Sequence, residues 1–456
     1  MFGNDQITEK WKDILDVPGL EPLVDRHRRN TTAMLLENVQ KDFNTSLPNL
    51  VQMGVVNPQK LLTEAPHANF MGASSSTHGT GGIDIFDPVL MTLVRRSMPN
   101  LMAYDICGVQ PMTGPVGLVF ALRVRYSNQA GDETFYNEVN TAFSTVQSGA
   151  NTLGLKHVGT VPGNTTQTSN LASTGLYNFA GGMSTAVAEE LGNSTVAFPE
   201  MAFTIEKYTV TAKERGLKAE YTMELAQDVK AIHNIDIESE LAGWLSAEIM
   251  AEINREVVRT IYVTAAQGST RGTTTAGIFD LDTDSNGRWS VERFKGLMYH
   301  LEREANQIAK DTRRGRGNFM ICSSDVAAAL SIAGELDFAP ALESNKMQID
   351  DTGHTFVGVL NKRIKVYIDP YVIGGDYFVM GYKGQFAFDS GLFYCPYVPL
   401  QYMKAQDPNT FQPKIGFKTR YGMVAHPFAQ GTTQGLGALV KDSNLFYRRT
   451  IATNLL

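Results

Sequence analysis

Hydrophobic and polar positions follow two rhythms along the 456 residues, separated by stretches that have neither. From Val116 to Tyr126 every second residue is apolar. Leu118, Phe120, Leu122, Val124 and Tyr126 fall on one side, and Val119, Ala121, Arg123 and Arg125 on the other. A period of two predicts a strand. A second β-like stretch runs from Phe203 to Tyr221, and together they predict a two-stranded ribbon. Further on the period becomes helical. Ile237, Leu241, Trp244, Leu245, Ile249, Ile253, Val257 and Ile261 recur at steps of three or four. They predict a helix over 237–262, roughly 40 Å long. Another amphipathic helix is predicted from Ser290, a suitable N-cap, through Phe294, Leu297, Met298, Leu301, Ala305 and Ile308. After Asn318 short strands are expected at 318–322, 355–360, 363–369 and 376–384, around a helix near 325–334. The stretch 411–428 again reads as β. The class is α+β.

The stretches without a period are informative too. Of the 76 residues in 127–202, 35 are Gly, Ser, Thr or Asn and only Lys156 is basic, which predicts an extended polar excursion rather than a packed core. Residues 71–82 read as a Gly/Ser/Thr linker. In residues 1–64 apolar bursts (Trp11, Ile14, Leu15, Met34, Leu35, Leu36) sit between charges. Short amphipathic helices unable to bury a core alone, in a flexible extension, are expected there. One pattern changes that picture. A Leu or Ile two residues before a Glu occurs at Ile7–Glu9, Leu35–Glu37 and Leu62–Glu64, and nowhere else. In an extended peptide, positions one and three point to one side. A protease binding its substrate as an added strand could read an aliphatic side chain and a carboxylate together. Pro66 also biases Ala65 towards an extended conformation. Residues 1–64 are therefore expected to be removable.

Composition bounds the rest. With 43% hydrophobic residues, 40 Lys+Arg and 47 Asp+Glu, the chain is globular and carries a net charge of −7. That excludes wholesale disorder and argues against gripping nucleic acid by its backbone. No run approaches the ~18 consecutive apolar residues of a membrane span. Charges near the N-terminus argue against a signal peptide, so a soluble, cytosolic, multi-domain chain is expected. Cys107, Cys322 and Cys395 are expected to be buried free thiols.

Candidate chemistry is sparse. The HExxH, CxxC, GxSxG and GxxxxGK[ST] patterns are absent, and Gly79-Thr80-Gly81-Gly82 lacks the Lys a phosphate loop needs. No cofactor and no enzyme activity are expected, although a site assembled in space would not show in such motifs. Asp282, Asp284, Asn286 and Gly287 match positions 1, 3, 5 and 6 of a calcium loop, but Arg293 stands where the closing Glu should be. Turn and capping chemistry is the expected reading. Arg313, Arg314 and Arg316 are expected to be a solvated helix end, with an inter-subunit salt bridge as the functional alternative.

Four segments carry a family resemblance. Residues 94–126 (VRRSMPNLMAYDICGVQPMTGPVGLVFALRVRY), 210–236, 247–258 and 411–429 resemble the major capsid proteins of T-even-type tailed bacteriophages. The resemblance implies a Hong Kong 97-type capsid fold. Its parts would be an N-terminal arm (65–115), an E-loop ribbon (116–214, with the excursion 127–202), a peripheral domain (215–311, with spine helix 237–262), an axial domain (312–405) and a return to the peripheral domain (406–456). It implies hexameric capsomers of the chain itself, and a virion shell assembled in the bacterial cytoplasm that encloses DNA without binding it specifically. The implied partners are vertex, portal, scaffold and decoration proteins and a prohead protease. Leu62, Glu64 and Ala65 would mark the main cut, and Ile7–Glu9 and Leu35–Glu37 secondary cuts. The alternatives are the paralogous pentameric vertex protein or, more distantly, an enzyme or carbohydrate-binding module sited in 127–202.

Overall fold

The computed structural model describes residues 3–16, 23, 25–52, 101–134, 139, 143–144, 182–192, 198–338, 355–430 and 437–455, less positions 271, 286, 288, 335, 373, 387, 388, 408, 409 and 411. The chain divides into two compact units. The first holds residues 1–117, 209–311 and 315–456, and the second 118–208 and 312–314. The class is α+β, as expected.

The first unit contains two sheets. The smaller has the order β1 (Gly108–Val109), β12 (Leu392–Gln406), β13 (Pro413–Ala425), β4 (Lys213–Glu220), with only β1 and β12 parallel. The larger runs β5 (Ala265–Gln267), β14 (Asn444–Thr453), β11 (Asp376–Gly381), β7 (Phe319–Cys322), β10 (Ile364–Ile368), β9 (Thr355–Leu360), β8 (Leu336–Phe338), and β6 (Ile278–Asp280) also pairs with β14.

The helical periodicities are realised as α7 (Ile237–Thr264) and α8 (Ser290–Thr312). Asp236 starts α7 by accepting the backbone N–H of Glu238. The helix packs on β4, β13 and β14, so it ties the two sheets together. Ile249, Ile253, Val257 and Ile261 are buried there, whereas Ile237, Leu241 and Leu245 are half-buried and Trp244 stays 66% exposed, so only the C-terminal half of the apolar stripe is fully buried. Arg215 on β4 reaches Glu252 (2.8 Å) and Glu256 (2.5 Å) on the helix. The six apolar positions predicted for the stripe of α8 are buried, while Val291 and Tyr299 lie exposed outside it.

Two expectations are corrected and one strand is added to those expected. The strand expected over Phe203–Tyr221 divides at Ala212, whose N–H donates to Pro115 O at 2.9 Å. Residues before it pair in the ribbon, and residues after it form β4 against β13. The added strand is β12, which runs through Pro396 and Pro399 although prolines argue against a strand. Register shifts between Pro396 and Val398 and between Val398 and Gln401 accommodate them. The N-terminal segment, over its described part, is not built only of short helices. It forms α1 (Gly3–Lys10), α2 (Lys12–Leu15) and the 27-residue α3 (Arg26–Gln52). Packing supplies the stability that propensity lacks, since Ala33, Leu35, Leu36 and Val39 belong to the same apolar core as Leu101 and Val109.

Shorter helices complete the first unit: α4 (Ala103–Ile106), α6 (Met223–His233) and α9 (Ser324–Ile332). The second unit is built on the ribbon of β2 (Val116–Tyr126) and β3 (Met201–Thr211), with α5 (Thr185–Glu189) capped by the Ser184 hydroxyl. Most of the excursion 127–202 lies outside the described residues.

Candidate assembly surfaces and the seat of the N-terminal helix

The ribbon alternates as its sequence predicts, but the faces are used in an unexpected way. The side carrying the large apolar residues is open. Leu118, Phe120 (64%) and Leu122 on β2, and Met201, Phe203 (62%) and Ile205 on β3, are exposed. The covered side holds charge. Arg123 is buried and donates through Nη1 to Glu133 (2.8 Å) and through Nε to Glu206 (2.9 Å), which also accepts the Tyr208 hydroxyl at 2.6 Å. Burial raises the pKa of Glu133 against the pull of Arg123, and burial together with Glu206 pushes Tyr208 up to about 12. A paired cluster fixes the ribbon's inner face. Among the described residues nothing of its own unit covers the outer face, and an apolar area of this kind marks an interaction site.

A further uncovered apolar surface lies in the first unit. No residue of α6 is buried, although Thr222 caps its start and Asn234, at φ 55°, closes its end. Met223, Leu225 and Ile232 are exposed on it.

The N-terminal helix has a defined seat on the first unit. Asn38 is buried in α3 and donates through Nδ2 to Met112 O (2.7 Å) and Tyr397 O (2.9 Å). His27 Nε2 lies 2.9 Å from Val109 O, and Arg28 pairs with Asp105. Sequence reading missed Asn38 and His27. Their only signal was their place on the helical stripe shared with Thr31 and Leu35.

The candidate cleavage residues fall in different settings. Ile7 and Glu9 lie on α1, Ile7 partly buried and Glu9 exposed. Leu35 is fully buried in α3, and Glu37 pairs with Lys10 (2.7 Å) and accepts Trp11 Nε1 (3.2 Å). Burial pushes the Glu37 carboxyl up, but those two donors outweigh it and hold the pKa below its ordinary value. Leu62, Glu64 and Ala65 lie outside the described residues.

Other candidates resolve into structural roles. Asp282 pairs with Arg293, while Asp284 accepts from Thr274 N and Oγ1 (2.8 Å each) and from Asp280 N (3.1 Å). Those carboxylates hold a turn together; Asn286 lies outside the described residues. Arg316 pairs with Glu302 of the same chain. The three cysteines are free and buried. Ser269, His300 and Glu304 do meet in space. However, Ser269 Oγ (2.8 Å) and Glu304 Oε1 (3.8 Å) both face His300 Nε2, whereas a nucleophilic relay needs them on opposite ring nitrogens. All three are buried, so this is a core network. Among the described residues no helix is long and apolar enough to cross a membrane.

Comparison with known proteins agrees with a structural role. A family model described as major capsid protein Gp23 matches residues 83–451. The major capsid protein of Salmonella phage ViI is 37% identical over 99% of this chain and 98% of its own length. That of Serratia phage KSP90 is 40% identical over 81% of this chain and 85% of its own. The capsid vertex protein of Enterobacteria phage T4 is 27% identical over 52% of this chain and 56% of its own length.

Proposed function

Because the chain belongs to the major capsid protein Gp23 family, a family of structural shell proteins and not of enzymes, we propose that it assembles through the open face of its ribbon into hexameric capsomers of a Hong Kong 97-type phage head. The observation that carries this reading is the row of six large apolar side chains, Leu118, Phe120, Leu122, Met201, Phe203 and Ile205, left exposed on one side of two paired strands. A lone two-stranded ribbon is marginal in water. Covering its apolar face with a second copy stabilises both, and many such contacts become cooperative in a closed shell. The hexameric role rather than the vertex role is supported by the higher identity and longer match to major capsid proteins.

Residues 1–64 act as a prosegment. A prohead protease hydrolyses the bond between Glu64 and Ala65, reading Leu62 and Glu64 on one wall of its cleft, and the Ile7–Glu9 and Leu35–Glu37 sequences are later cuts. The prosegment faces the internal scaffold in the precursor, and its loss permits the shell to mature. The axial part meets its copies at the capsomer centre, while vertex, portal and decoration proteins complete the head. The weak net charge, −7 for the whole chain, suits a wall that confines DNA without binding it specifically. Mass spectrometry of mature particles should find Ala65 at the N-terminus. Recovery of intact residues 1–64 there would remove the maturation reading.

A further inference from the structure

We propose that the seat of α3 is a helix-binding groove of the body 101–456, filled in cis by α3, which keeps the inner Leu35–Glu37 sequence closed to proteolysis until α3 leaves. The proposal rests on the reading of residues 1–64 as a prosegment.

The seat is built from both sides. His27, Thr31, Leu35 and Asn38 fall at steps of four, four and three, so they share one stripe of the helix. The stripe is anchored at both ends, roughly 16 Å apart at 1.5 Å per residue. At one end His27 Nε2 meets Val109 O. At the other Asn38 donates to Met112 O and Tyr397 O. Between the anchors Thr31, Thr32, Leu35 and Leu36 are all at most 1% exposed. A groove that offers three backbone carbonyls and an apolar floor recognises a helix carrying donors eleven residues apart.

The consequence follows from where the inner cleavage sequence sits. A protease that takes its substrate as an extended strand must straighten several residues on each side of the bond. The Glu37–Asn38 bond lies between Leu35, which is fully buried, and Asn38, which is held by two carbonyls of the body. That bond cannot be straightened while α3 is docked. The contacts of α3 with the body described above all lie at residues 27–39, so cutting at Glu64 breaks none of them. Hydrolysis there consumes one water and leaves a carboxylate on Glu64 and an ammonium on Ala65, but the segment stays seated. The order is therefore fixed: the cut at Glu64, departure of α3, then the cut at Glu37. The first cut severs without releasing.

The test uses the full-length chain with residues 58–64 replaced by the recognition sequence of an unrelated site-specific protease. After cutting, the N-terminal fragment should co-elute with the body on size exclusion. A fragment that separates on its own overturns the proposal. In a second arm, a glutamate-specific endoproteinase acts on the uncut wild-type chain and on a chain carrying His27→Ala and Leu36→Ala. Cutting after Glu37 should be at least about tenfold slower in the wild type, as expected when cleavage awaits local opening. Equal rates would overturn the masking. Should the double variant fail to fold, amide exchange at residues 31–39 of the chain with the replaced 58–64 segment, before and after the cut, replaces it. Protection kept after the cut supports the seat, and protection lost overturns it. Neither protease is the phage's own, so failure of the maturation reading would show in the particles and leave this test standing.

Discussion

The imidazole Nε2 of His300 on α8 lies 2.8 Å from the Ser269 hydroxyl, inside the core of the first unit. Phe279 stacks on the ring at 4.7 Å, and Arg303, Glu304 and Arg448 surround it. Burial, helped by Arg303, lowers the His300 pKa from 6.5 to about 4. An unfolded chain titrates the same group near 6.5, so between these values the unfolded state binds more protons. The stability that neutral His300 contributes is complete above about pH 6.5 and is lost as pH falls towards 4, on the order of 3 kcal/mol. Glu304, whose burial raises its pKa, works in the opposite sense. Denaturant unfolding of wild type and His300→Gln at pH 7 and pH 4.5 separates the two. The wild type should lose about 2–3 kcal/mol more than the variant over that interval.

Within the second unit, Arg123 holds two carboxylates that would otherwise face each other, Glu133 and Glu206. Arg123→Met keeps the volume but removes the partner of both. Stranding a buried charge costs about 3–5 kcal/mol. Amide exchange in residues 118–126 and 201–208 should accelerate accordingly. Unchanged exchange would mean that the ribbon does not depend on this cluster.

The open ribbon face makes the opposite prediction. Phe120 and Phe203 touch solvent over most of their surface, so Phe120→Asp with Phe203→Asp should leave the unfolding midpoint nearly unchanged, within about 0.5 kcal/mol per site. Assembly should fail, with sedimentation showing slow species only. Assembly at the wild-type level would place the interface elsewhere.

How much of this was legible in the sequence depended on whether local pattern and tertiary context agreed. The Ile237–Ile261 stripe and the Val116–Tyr126 alternation were read directly, because α7 and β2 follow their own periodicity. Periodicity gives faces, not which face is covered. The alternation left open which side is covered: the Leu118–Leu122 side is the open one, and Arg123 on the other side is buried. β12 was hidden by Pro396 and Pro399, whose cost is absorbed by bulges that only strand pairing creates. α3 was hidden because its stripe mixes His27, Thr31 and Asn38 with Leu35, and those polar groups are satisfied by carbonyls as far as 359 residues away. The split at Ala212 needed Pro115 as a partner and had no local signal.

Under the proposed function this chain builds a shell from copies of itself. Electron microscopy of the purified full-length protein tests it most directly. The account predicts closed particles or tubes with a lattice of sixfold rings, and a concentration dependence set by cooperative assembly. Dispersed single chains at every concentration and salt condition tried would contradict it.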